Sequence, residues 1–124
     1  PSRGNLIADS DRWGDPETTV ARTGNAERPQ FAEYDVTVPA AGTWTIEVRY
    51  AAEASRPVTG SVNGVVVAPM TLAATTGSWF PEAQQWTLAA TAILAPGRNV
   101  LRVERNGDFP HVDALLLPGV RRFF

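Results

Sequence analysis

The stretch TWTIEVRYA, residues 43 to 51, alternates without a break: Trp44, Ile46, Val48 and Tyr50 fall on one side, Thr45, Glu47 and Arg49 on the other. A period of two marks a strand with one face in a core and the other in water. Before it, FAEYDVTVP repeats the pattern, with Tyr34, Val36 and Val38 set against Glu33, Asp35 and Thr37. The PAAG at 39 to 42 reads as the turn of an antiparallel hairpin between the two. In VTGSVNGVVVAP, Asn63-Gly64 lies between Val62 and Val65, and this dipeptide best accepts the positive φ angles of a type I′ turn, so a second hairpin is expected. QWTLAATAIL at 85 to 94, VLRVER at 100 to 105 and VDALLLP at 112 to 118 read as further strands, with APGRN and NGDFPH as the loops between them. Ten prolines and ten glycines leave segments too short and too β-branched for ordinary helices. Roughly eight short strands with closely spaced turns predict an all-β, two-sheet β-sandwich or jelly roll, in which end loops or one sheet face carry function.

The 124 residues are enough for one domain with its own core, and residues 118 to 124 read as a tail after the fold. Without cysteine there is no thiol catalysis, disulfide or cysteine zinc site. The net charge of −2 comes from scattered acids and arginines, with no basic stripe for nucleic acid or anionic lipid. No apolar run approaches the ~20 residues that cross a bilayer, so membrane insertion is not expected. Pro1 is not followed by a leader-like stretch, and the residues by themselves leave the compartment open.

Enzymatic chemistry finds little support. The one histidine, His111, has no G-x-S-x-G elbow to serve, and the acidic residues sit mostly on polar strand faces or in turns. Nucleotide-loop and zinc-protease motifs are absent. In DSDRWGD, residues 9 to 15, Asp9, Asp11, Gly14 and Asp15 match positions one, three, six and seven of an EF-hand loop, but Trp13 and Val20 stand where positions five and twelve need oxygen. The EF-hand therefore fails, leaving an acidic turn or a looser calcium role. Trp44 and Trp86 are expected in the core. Trp13 and Trp79 lie in turn-rich contexts, where a tryptophan either plugs the end of a sandwich or offers a flat apolar face to a ligand. Phe80 and Phe109 are placed by their loops at that same end.

The ordered series YDVTVPAAGTWTIEVRYA, SVNG, TGSW, LAPGRNVLRVER and FPHVDALLL resembles the carbohydrate-binding modules of families 6 and 35 over residues 34 to 117. Their pattern runs V-x-V-P-x-A-G-x-Y, V-R-Y-A, V-N-G, T-G-S-W, L-x-A-G-x-N and a closing P-N-x-D. It looks most like versions embedded in large multidomain proteins. The resemblance implies a galactose-binding-like β-sandwich that is non-catalytic, extracellular or periplasmic, and often carries a structural calcium. It puts Asp113 at a calcium ligand position, with Asp9 and Asp11 in the stretch that stands for the family's opening E-A-E strand, here reduced to LIADSD. Trp79 falls in the loop that supplies a sugar-stacking aromatic, and His111 at a sugar-contacting asparagine. The expected ligand site is Trp79 as platform, Phe109 and Trp13 as walls, and His111, Arg105 and Asp108 as hydrogen-bonding groups; alternatively His111 only caps its loop on a backbone carbonyl. The competing reading is an interaction module that has lost sugar binding and docks on other protein subunits, through the sheet edge left open by the missing opening strand or through the RRFF tail at 121 to 124.

Overall fold

The computed structural model describes residues 1–9, 20–24, 28–67 and 70–124, with the backbone alone at 8 and 9. Eleven strands are defined among them: β1 (Arg3–Gly4), β2 (Ile7–Asp9), β3 (Val20–Arg22), β4 (Gln30–Val38), β5 (Gly42–Ala51), β6 (Thr59–Val62), β7 (Val65–Val66), β8 (Gln85–Leu94), β9 (Gly97–Arg105), β10 (His111–Leu117) and β11 (Arg121–Phe123). One sheet has the order β1-β4-β9-β6-β7 and the other β2-β3-β10-β5-β8, all pairs antiparallel. This is the expected two-sheet sandwich. Tyr34, Val36, Val38, Leu101 and Val103 of the first sheet and Ile46, Val48, Ala90, Ala92, Leu94, Leu115 and Leu117 of the second share one buried cluster. No helix among the described residues is long and apolar enough to cross a membrane.

Four local expectations are corrected. β4 and β5 do not form a hairpin: β4 pairs with β9 and β5 with β10 and β8, so the chain at 39 to 41 passes from one sheet to the other. Alternation showed that both strands have an inner face, and two inner faces can belong to opposed sheets as readily as to one. The opening strand is present in reduced form, since Ile7–Asp9 forms β2 on β3. The segment expected as a tail returns as β11 on the end of β10, with Phe123 buried at 5% exposure, because an apolar ring gains more from the core than from water. Trp86 is only half-buried and pairs with Arg49 on the outer face, where the Arg122 guanidinium lies 5.3 Å from its ring centre.

The Asn63-Gly64 hairpin is as expected: φ is 49° at Asn63 and 84° at Gly64, and Val62 pairs with Val65. The Asn63 Oδ1 accepts the Val100 N–H at 2.8 Å and its Nδ2 donates to Asn99 Oδ1 at 3.0 Å. Asn99, fully buried, also accepts from the Ala95 N–H and donates to the Ala95 and Gly97 carbonyls. Two asparagines thus tie two turns together at one end of the sandwich.

Candidate functional site

The opposite end gathers the starts of β8 and β10, the end of β5 and the loops around 23, 56, 79 and 107. His111 opens β10 opposite Ala51 and is 7% exposed. Its Nδ1 lies 3.0 Å from the Trp79 carbonyl oxygen, which only accepts, so Nδ1 carries the hydrogen. The His111 and Trp79 rings lie 5.0 Å apart at 41°. Over the Trp79 ring, 4.0 Å from its centre, sits the Arg56 guanidinium, and Arg56 Nη1 donates to the Phe109 carbonyl at 3.0 Å. A ring face and a backbone oxygen therefore fix one cation at the mouth of the sandwich. Beside it, Arg22, Thr23, Arg56, Asp108 and His111 line an open cleft of about 190 Å3.

The expected site residues divide. Trp79 and His111 meet at this end, and Asp108 borders the cleft with a side chain 58% exposed, 3.4 Å from Arg28. Arg105 is a loop clamp: its Nε donates to the Asp108 carbonyl at 2.8 Å and its Nη1 to the Pro57 carbonyl at 2.9 Å. Phe109, expected as a wall, is fully buried, and its backbone N–H donates to Thr23 Oγ1 at 2.9 Å. Its ring belongs to the core, where burial of an aromatic is worth most. Among the described residues of this end, Phe80 is an exposed aromatic, at 40%. Trp13 and Asp11 lie outside the described residues. Arg56, Arg22 and Thr23 were not singled out in the sequence. An arginine in ASRPV carries no periodicity signal, and its place over Trp79 comes from tertiary packing alone.

A cation site at Asp113 can be tested against its surroundings. Asp113 is 2% exposed and stands at the irregularity where β10 slips against β5 between Val112 and Ala114. The extra residue lets a carboxylate point where alternation would not put it. By register, Asp9 shares its row across the sheet, through Val20. Calcium takes six to eight oxygens. Among the described residues no three histidine or acidic side chains gather, and the Arg49 Nη1 lies 3.6 Å from Asp113 Oδ2. The Arg49 guanidinium supplies positive charge beside Asp113, and the side chains of Asp9 and Asp11, the other expected ligands, lie outside the described residues.

No protein-family model matches the sequence. An exo-beta-D-glucosaminidase of Amycolatopsis orientalis is 38% identical over 91 residues, which are 68% of this chain and 8% of that enzyme's length. Among solved structures, a family 35 carbohydrate-binding module of Clostridium thermocellum superposes with a TM-score of 0.73 at 28% identity, covering 90% of this chain and 85% of that one. The family 35 module of Cellvibrio japonicus Abf62 gives 0.71 at 25%, covering 97% and 87%. A family 35 module, Xyl-CBM35, solved in complex with a glucuronic acid containing disaccharide gives 0.71 at 24%, covering 97% and 87%. The class is that of the β-sandwich binding modules. Within it, this chain has the architecture of the family 35 carbohydrate-binding modules.

Proposed function

We propose that this chain is a non-catalytic module that binds a glycan at the Arg56–Trp79–His111 end of the sandwich, with preference for a sugar that carries a carboxylate. The observation that carries the reading is the cleft itself: Arg22 and Arg56 line it with His111, against one acid, Asp108. Guanidinium groups recognise carboxylates through paired, charge-assisted hydrogen bonds. The related module solved with a glucuronic acid containing disaccharide supports the same ligand class. Because Arg56 covers one face of Trp79, an incoming sugar meets the guanidinium before the indole. Trp79 then works chiefly by positioning Arg56. A cleft this shallow binds weakly once ordering costs are met, and such a module gains by repetition or by attachment to a longer protein. Its place of action is outside the cytoplasm, where polymeric glycans are met.

The test is a glycan array followed by titration, run in calcium and in chelator. The expected result is binding to uronic-acid glycans, and a loss of about tenfold or more in Arg56→Ala, on charge-assisted bonds worth ~1.5–3 kcal/mol. A folded protein that binds no glycan, or that binds neutral glycans equally well in Arg56→Ala, overturns the reading. Binding lost in chelator gives a calcium ion a part in the site, with Asp113 its first expected ligand.

A further inference from the structure

The two sheets end on the same flank, at β7 and β8. There Val62, Val65, Val67, Ala92 and Ile93 line an open apolar cleft of about 410 Å3, larger than the one at the ligand end. Val65 is 68% exposed, Leu88 64% and Ile93 80%. Edge strands of soluble proteins are usually guarded by charge, proline or shortness. β8 has none of these: it runs ten residues, QWTLAATAIL, without a charged residue or a proline. Its one irregularity lies where Ile46 pairs with Ala90 and Glu47 with Leu88, and beyond it Ala90–Leu94 forms a regular edge. Charge is missing from the Ala90–Leu94 edge and from the residues that line the apolar cleft beside it. Between Arg56 and Arg98 the chain carries one charged residue, Glu82, although charged residues make up 19% of the total.

We propose that β8 pairs antiparallel with β8 of a second copy of this chain, joining the two six-stranded sheets across a two-fold axis. Charge selects this occupant. The uncharged Ala90–Leu94 edge offers nothing to an ion-bearing partner, and against its own copy it sets no like charges together. The outer face of the other sheet, which carries Arg3, Glu33, Asp35, Arg98 and Arg102, would bring like charges face to face. Two identical strands that pair antiparallel necessarily make a closed, two-fold contact. An axis at Ala92 sets Thr91 of each copy opposite Ile93 of the other and Ala90 opposite Leu94. Outward residues then meet outward residues, as the pleat requires. Ile93 pairs with Thr43 at the end of β5 away from Ala51 and His111. The pairing therefore leaves both ligand clefts open and turns them to opposite ends of the joined sheet, so that one dimer could bridge two glycan chains. The pairing itself does not depend on the glycan reading.

Sedimentation over a range of concentrations tests it. The 13.4 kDa chain is expected to shift toward twice that mass as concentration rises. Ile93→Lys, at an exposed position where folding is insensitive, should stay at the monomer mass, and Ile93→Val should still dimerise. A wild-type chain that remains monomeric at high micromolar concentration overturns the proposal, as does a dimer unchanged by Ile93→Lys and by Leu88→Lys. Glycan binding is scored separately on the same samples, so failure of one reading is distinguishable from failure of the other.

Discussion

Tyr34 carries its phenol into the core between the sheets, and among the described residues its hydroxyl has no hydrogen-bond partner. Burial pushes its pKa well up, and the nearby Asp113 charge adds to the effect. An unpaired buried hydroxyl costs ~1–3 kcal/mol of desolvation. Tyr34→Phe keeps the ring and removes that cost, so it is expected to be neutral or to stabilise by up to ~1 kcal/mol in urea unfolding; a clear loss of stability would show that the hydroxyl has a partner, with Asp113 the first candidate. The same scale explains which site residues could be read in advance. Trp79 and His111 stand in motifs, TGSW and FPHVD, whose order along the chain carried the resemblance. Phe109 and Phe80 have similar loop contexts and opposite fates, one fully buried and one exposed. Local sequence does not distinguish them, because the difference is whether the chain next enters β10 or the short turn at Pro81–Ala83.

At the scale of elements, strands were legible wherever one face is wet. β4, β5 and β9 show the alternation in their burial, and β8 begins and ends where its residues indicated. Partnership was less legible. Period two states that a strand has an inner face and says nothing about which sheet owns it, which is why β4 and β5 were expected to pair and do not. The short strands β1, β2, β3, β7 and β11 are too brief to build a periodic signal and exist because longer neighbours template them. Turns, by contrast, were legible and consequential. Asn99 holds the Gly97 turn and, through Asn63, the β6–β7 hairpin. Asn99→Ala strands several buried backbone groups and is expected to cost ~2–3 kcal/mol, read as a lower urea midpoint with an unchanged slope. Since this end lies away from His111, glycan affinity of the folded fraction should not change.

At the scale of the whole molecule, the β1-β4-β9-β6-β7 sheet is bound on its outer face by a charge ladder. Arg3 bonds Glu33 at 3.0 Å and Asp35, Arg98 reaches Asp35 at 3.1 Å, and Arg102 bridges Glu33 and Glu104 at 3.2 and 3.3 Å. The Arg3 hydrogen bonds hold the Asp35 carboxyl down to about 2 from an ordinary 3.8, and lower Glu33 as well. A carboxylate whose folded pKa is depressed contributes fully above its unfolded value and loses that contribution as pH falls through the folded one. Thermal stability is therefore expected to drop between about pH 4 and pH 2, more gently in Arg3→Ala. The effect should be modest, because these pairs are exposed to solvent. An acid limb identical in wild type and Arg3→Ala would remove the ladder from the account.

The central claim is that the cleft beside Arg56, Trp79 and His111 takes a carboxylate-bearing sugar. Isothermal titration of the domain with a glucuronic-acid oligosaccharide and with its carboxyl-reduced counterpart tests it most directly, since the two ligands differ only in the charge that Arg22 and Arg56 would meet. The account predicts measurable binding of the acid that weakens with salt, and an affinity for the reduced sugar lower by about tenfold or more. Equal affinity for the two, or binding of neither by a folded protein, would contradict it.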